Sequence, residues 1–365
     1  MTSRHATDGG RRGIATWIIV TVVAVVLLAG GVTAYLLIVD DDETATAACQ
    51  SQVVLPVVAS PGAAPAITAA ATAFDASAPV ARSACVSTTV ASLPDETAAA
   101  ALAADWQPPS GAAPGMWIPE SEVALVGLES TDSAMTAGRN NDPIATSPVV
   151  LAVRADDAAA VTAAGPSWQT LDTLVGPGGV ALPSGGTVVL ALPDPTTNRA
   201  TSYALQSFLA ADGGAPVDPA AVTAAAAELG AIGAGGPAAQ PATTQEALTQ
   251  LAANDGGFTA VPVLESDLAA FTAVTPGLTG ISPIGDTVGD TVFVVPLSAP
   301  WVDPTMEDAS AVFLAYLRGA GGDQAFTENG LRVEGAGTGD SAVTVIPGAG
   351  PEVDTAIATA IGAAG

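Results

Sequence analysis

The chain carries no charged side chain between Arg12 and Asp40, and a run of acids, Asp40-Asp41-Asp42-Glu43, follows at once. As a helix, residues 13–39 reach about 40 Å at ~1.5 Å per residue, more than the ~30 Å hydrocarbon core of a bilayer. The segment is long enough to span. Arg4, Arg11 and Arg12 precede it and the acids follow it. The positive-inside rule therefore puts residues 1–12 in the cytoplasm as a short tail, residues 13–39 in the membrane as a single pass, and everything after Asp40 outside the cell. Trp17 and Tyr35 fall near the two ends, where interfacial aromatics belong. A cleaved signal peptide has an apolar core of only ~7–15 residues ahead of a small-residue cleavage site, so the expectation is an uncleaved anchor. A lipidated Cys fits poorly, because the acids separate Cys49 from the apolar run.

Composition removes several function classes from the exterior part. Leaving out the first 39 residues, six arginines face 35 acids, a net charge near −29. Such a field repels nucleic acid and anionic headgroups. The acids are spread thinly through an Ala-, Gly- and Pro-rich chain, which reads as solubility and coding bias rather than as the mark of a cationic substrate. The single histidine, His5, lies on the cytoplasmic side and there is no lysine. An exterior Ser-His-Asp triad, a Cys-His pair, a Schiff base and a His-ligated metal are thereby excluded. Acidic residues are too numerous to nominate a catalytic carboxylate pair, and no enzyme, metal or cofactor is expected.

Cys49 and Cys85 are the only cysteines and both fall on the oxidising side, so a disulfide is the natural pairing. Each precedes a β-rich run, QVVLPVVAS and VSTTVAS, and parallel neighbouring strands would bring the two starting ends together. After a spacer over residues 40–50, Gln52 to Ala59 reads as a buried parallel strand, Ser60-Pro61 as a helix start, and residues 63–74 as an Ala-rich helix. The next strand, 86–90, completes a βαβ opening. Further on come SPVVLAV (147–153), TVVLALPDP (187–195) as a strand, a helix from about Thr196, a Gly/Ala/Pro-rich loop at 230–241, and a strand near 258–263. Residues 347–365 read as a loose, low-complexity tail.

In this order the segments resemble a type II periplasmic binding protein, the extracellular solute-binding domain of ABC-type uptake systems. The resemblance rests on VVLPVVASPGAAPAI, the WIPES turn, SPVVLAV, the W-x-x-L helix at Trp168–Leu171, LPDPTTNRATSYAL, EALTQLAANDGGFTAVPVLESD, VFVVPL and ASAVFLAYLRGAGGDQAFTENGLRV. Each motif is weak alone, and their collinearity over about 300 residues carries the resemblance. It implies an α/β domain of two lobes over residues 51–346, with lobe one from 51–147 and 267–346, lobe two from 148–266, and crossovers near 145–150 and 260–266. The chain also resembles the N-terminal half of actinobacterial membrane proteins that carry a von Willebrand A domain after such a module, although the D-x-S-x-S motif of that domain is absent from this sequence.

In such folds ligands lie at the carboxyl ends of strands, against helix N-termini. That placement nominates Ser60 in lobe one and the turn Thr196, Thr197 and Asn198 in lobe two, with Arg199 as a charge partner. Ser60 serves equally as a plain N-cap, and the turn equally as a capped DP-turn with a solvated arginine. Trp117 is a wall of the cleft or a core residue; Ser147, Glu265 and Ser266 face the cleft or stiffen the crossovers. Trp106, Trp168 and Trp301 read as packing residues. The expected function is membrane-anchored extracellular binding of a small polar ligand of unknown identity for uptake or sensing, with an ABC permease or an envelope protein as partner. The alternative is a cell-envelope scaffold that keeps the fold without the ligand.

Overall fold

A computed structural model describes residues 49–106, 111–139, 142–175, 178–210, 216–333 and 343–362. The expected cytoplasmic tail and membrane span lie outside the described residues; among those described, no helix is long and apolar enough to cross a membrane.

Lobe one opens with strand β1 (Ser51–Ala59), helix α1 (Ala64–Ala76), the short β2 (Val80–Ala81) and β3 (Ala84–Ser92). β1 and β3 run parallel with Gln52 opposite Cys85, which brings Cys49 to its partner. The expected disulfide Cys49–Cys85 is formed, with Cα atoms 5.2 Å apart. Helix α2 (Asp95–Ala103), strand β4 (Met116–Ile118) and helix α3 (Glu122–Thr131) follow. β1 is central, with β3 on one side and β4 on the other. That position explains why VVLPVVA is continuously apolar, since a central parallel strand is covered on both faces.

β5 (Ala145–Arg154) then carries the chain across. Ile144 and Ala145 pack with the lobe-one core of Leu55, Val57, Ile67, Phe74 and Phe313, whereas Val149, Leu151 and Val153 pack with a second core around Trp168, Leu190, Leu205 and Leu229. Lobe two continues with α4 (Ala155–Ala163), a 3₁₀ turn at Trp168–Thr170, α5 (Leu171–Leu174), α6 (Arg199–Leu209), α7 (Pro219–Ala224), α8 (Ala226–Ala234), α9 (Thr244–Ala253), β6 (Ala260–Leu264), α10 (Glu265–Thr272) and β7 (Leu278–Ile281). β8 (Thr287–Val292) returns the chain: Val288 belongs to the lobe-two core, Val292 and Val294 to that of lobe one. The remaining elements are β9 (Val295–Pro296), α11 (Pro304–Leu317), α12 (Ala320–Glu328), β10 (Val345–Pro347) and α13 (Pro351–Ala360). Both the opening segment and the α11–α12 pair thus build lobe one.

Four expectations are corrected. The second crossover is β8, not residues 260–266. β6 pairs antiparallel with β5 along Val149–Val153 and stays in lobe two, and α10 and β7 bury Leu268, Phe271 and Leu278 in that lobe. Residues 187–195 form no strand ladder; isolated bridges tie Thr187 to Ala181 and Leu190 to Ala260, with Ala191 N donating to Ala260 O at 2.9 Å. The glycine-rich stretch at 230–234 is helical, because Leu229 and Ile232 are buried and its glycines let another segment approach: a Cβ on Gly233 would stand 2.5 Å from Ile361 O. That other segment is the expected loose tail. Residues 351–360 instead form α13, which buries Val353, Ile357 and Ala358 on lobe two. Asp354 anchors it by accepting from the Ser202 hydroxyl and from Gln206 Nε2 (3.2 Å) on α6.

Two outcomes follow. Replacing both cysteines by alanine opens a loop of sequence separation 36 and should cost roughly 3–4 kcal/mol on the chain-entropy model, measured as a lowered denaturant midpoint. Ile357→Ala, at a side chain that is fully buried, should cost about 2–5 kcal/mol; an unchanged thermal midpoint would mean that α13 is not part of the folded unit.

Candidate functional site

The carboxyl ends of β1 and β4 lie side by side, because Ala59 is in register with Ile118. Ser60 follows β1 and is 1% exposed. Its hydroxyl does not cap α1, whose N-cap is Ala63; it donates instead to the Asp95 carboxylate at the start of α2. The other Asp95 oxygen accepts from Glu120 N (3.1 Å) and Ser121 N (2.9 Å), and Ser60 Oγ also accepts from Glu120 N (3.1 Å). Ser60 and Asp95 therefore fix the WIPES turn. Ser121 in turn caps α3 by accepting from Ala124 N. The far side of the turn is held by β8 and its continuation, where Thr291 N and Phe293 N donate to Glu120 O and Pro119 O at 3.2 and 2.9 Å.

Across the junction, Asn198 caps α6 by accepting from Thr201 N (2.9 Å), and its amide donates to Thr244 Oγ1 at the head of α9. This cap aims the first turn of α6 at lobe one. Arg199 Nη2 lies 3.2 Å from Glu120 Oε2 of lobe one and 3.1 Å from Asp290 Oδ2 on the crossing strand β8. One turn on, Tyr203 donates its hydroxyl to Asp290 Oδ1 at 3.1 Å. Glu120 and Asp290 are 2% and 0% exposed, whereas the Arg199 side chain keeps 43% of its surface. Each lobe and one connecting strand thus contribute to a single charged cluster.

The charges do not balance. Asp95, Glu120 and Asp290 converge on Arg199, the cation that reaches them among the described residues. Burial raises the Asp95 carboxyl to about 6, against the lowering effect of its hydrogen bond from Ser60. Burial, then the charge of Asp290, pushes Glu120 well above the usual carboxylate range, and burial moves Asp290 the same way. Glu120 Oε1 is buried without a hydrogen-bond partner. Asp290 Oδ2, although ion-paired to Arg199, has no aligned donor either. With its hydroxyls and carboxyls locked into mutual hydrogen bonds, the arrangement can hold a polar group.

Of the residues nominated from sequence, Ser60, Asn198 and Arg199 meet at this junction. Thr196 and Thr197 stay exposed in a turn ordered by Asp194, which accepts from Thr196 N and Oγ1. Trp117 is fully buried in a lobe-one core with Val58, Leu102 and Leu125, its Nε1 unpaired. Ser147 stands opposite Asp290 in the β5–β8 register, and its hydroxyl is 2.9 Å from that of Ser266. Glu265 pairs with Arg332 and lines a separate groove of about 320 Å³ with Val150, Leu268 and Gly280, away from the cluster. Asp95, Glu120, Tyr203 and Asp290 were not nominated. Glu120 lay within the recognised WIPES turn, but nothing local marks it above the other acids. Asp290 sits in a strand, TVGDTV, too polar to read as buried.

Two α/β lobes joined by crossing strands, with polar groups from both converging on the junction, define a two-lobed binding-protein fold. A family model for bacterial extracellular solute-binding proteins matches residues 55–332, and the chain belongs to that family, whose members bind solutes and are not enzymes. No curated protein matches the chain. Among solved structures it is similar to the sulfate-binding protein SubI from Mycobacterium tuberculosis H37Rv (TM-score 0.51, 13% identity, 85% of this chain and 96% of that one). It is also similar to Trichodesmium IdiA (FutA) in complex with iron and citrate (0.55, 10%, 85% and 98%) and to a periplasmic thiamin-binding protein (0.52, 14%, 85% and 96%). At these identities the likeness is one of fold.

The raised Glu120 carboxyl has a consequence for stability. The folded chain keeps a proton that the unfolded chain releases, so the contribution is full below the ordinary carboxylate pKa near ~4.3 and is lost as pH rises through the raised value. Glu120→Gln removes that loss. Its thermal midpoint, relative to wild type, should move upward as pH is raised from acid to mildly alkaline; a gap that is constant with pH would show that Glu120 titrates normally.

Proposed function

We propose that the chain is a helix-anchored extracellular receptor that binds a small polar solute between its lobes, for uptake through an ABC permease or for sensing. The observation that carries this reading is the cluster at the junction. Ser60 and Glu120 come from lobe one, Asn198 and Arg199 from lobe two and Asp290 from a crossing strand; all but the partly exposed Arg199 are buried, where a fold of this kind encloses its ligand. The α6 N-terminus and the WIPES turn then act as two jaws. Solute would shift the population toward the closed arrangement by contacting both. The apolar run at residues 13–39, followed directly by acids, supports the anchor.

The ion pair across the lobes favours one further reading, a scaffold in which Arg199 and Glu120 hold the lobes shut without solute. A thermal-shift screen of the full chain in detergent against a broad solute library separates the two. A specific solute at 100-fold over its dissociation constant should stabilise the fold by about 2.7 kcal/mol, and Ser60→Trp should remove that gain. No stabilising solute anywhere in the library would favour the scaffold.

A further inference from the structure

At the carboxyl ends of β1 and β4 a helix N-terminus ordinarily offers free N–H groups to an anion. Here the first turn after β1 is covered by a carboxylate of the protein itself: a Cβ on Gly62 would stand 2.4 Å from Glu120 Oε1 and 3.0 Å from Oε2. A sulfate-like dianion entering there would meet Glu120 at contact distance, with Asp290 behind it. Both orphaned polar atoms of the cluster are carboxyl oxygens, and a cation drawn between them favours release of the Glu120 proton, so that both carboxylates then accept. Glu120 Oε1, in a residue 2% exposed, and Asp290 Oδ2, in a residue fully buried, lack hydrogen-bond donors. Unpaired buried carboxylate oxygens of this kind are costly and gain most from a charged N–H donor.

The group that now stands between them is a cation. Arg199 sets one guanidinium nitrogen 3.2 Å from Glu120 and 3.1 Å from Asp290, from a side chain whose partial exposure leaves it room to swing away. We propose that the interlobe junction binds a small organic cation, an ammonium or guanidinium headgroup that takes the place of Arg199 between Glu120 and Asp290. This rests on the solute-binding reading and adds the charge of the solute to it. Asp95 is not a ligand, since both its oxygens are engaged by Ser60, Glu120 N and Ser121 N. Its charge and that of Asp267 add to the negative field at the junction. Arg199 is then a competitor of the ligand rather than its partner, which reverses the role an arginine plays in an oxyanion site.

The sign of the Arg199 effect is the test. Full-length protein is titrated by calorimetry with putrescine, agmatine, arginine amide and thiamin as cations, sulfate and molybdate as oxyanions, and glucose as a neutral control. At least one cation should bind, Glu120→Gln should weaken it about ten- to hundredfold, and Arg199→Met should leave its affinity unchanged or raise it. Asp290→Asn, checked by circular dichroism for folding, serves in place of Arg199→Met if that variant does not fold, and should weaken the cation as Glu120→Gln does. Binding of sulfate or molybdate that Arg199→Met abolishes would overturn the cation assignment while keeping the solute-binding reading. So would glucose binding indifferent to Glu120→Gln. No binding by any probe in either wild type or Arg199→Met would overturn the cation assignment, and the library screen would then decide separately whether the protein binds solutes at all.

Discussion

The antiparallel contact between β5 and β8 is what makes the rest of the architecture a two-lobed one. Four register pairs, Ala145–Val292 to Pro148–Gly289, hold the two strands together where each passes from one core to the other. The approach is close enough that a Cβ on Gly289 would stand 2.5 Å from Ser147 O and 2.6 Å from Pro148 Cα, so glycine is required at that crossing. Beyond it the strands part to serve different sheets. β5 goes on to pair with β6 and β7, and the segment after β8 joins β4 as β9. Because Asp290 lies within the contact, the same crossing that connects the lobes also supplies one wall of the charged cluster.

Around that crossing the lobes are tied by polar rather than apolar contacts. Arg199 links α6 to Glu120, and Arg332, just beyond α12, reaches Glu265 on lobe two while its backbone exchanges hydrogen bonds with Thr146. The large apolar clusters, by contrast, each stay within one lobe. Partly exposed ion pairs contribute little to stability and exchange readily with water or other ions. An interface of this composition holds the lobes in register without welding them, which is compatible with the proposed binding of a solute between them.

Much of the fold was legible because its signals are local. The apolar β1 run, the cysteine at or just before the start of each of two parallel strands and the Asn198 helix start each declare themselves within a dozen residues. The second crossover was not, since AVPVL looks like a connecting strand and TVGDTV does not; only the tertiary placement shows the polar β8 buried on all its residues. The tail misled for the opposite reason. PEVDTAIATAIGAAG has the composition of a linker, but Val353, Ile357 and Ile361 fall on one helical face that matches the glycine face of α8. At the site, Ser60 and Arg199 were found from their positions after a strand and at a helix start. Glu120 and Asp290 owe their character to burial and to each other, which no single stretch of sequence records.

The docking of α13 on lobe two sets up a geometric relation between the two ends of the described chain. Cys49, where the described chain begins, is bonded into the lobe-one sheet, and Gly362, where it ends, closes the helix packed on the opposite lobe. Any rotation of one lobe against the other is therefore also a change in the distance between residues 49 and 362. A pair of fluorophores at Gln50, exposed beside the disulfide, and at Gly362 would report lobe movement directly, and a partner gripping one end while the other is held would feel the state of the cleft as a mechanical displacement.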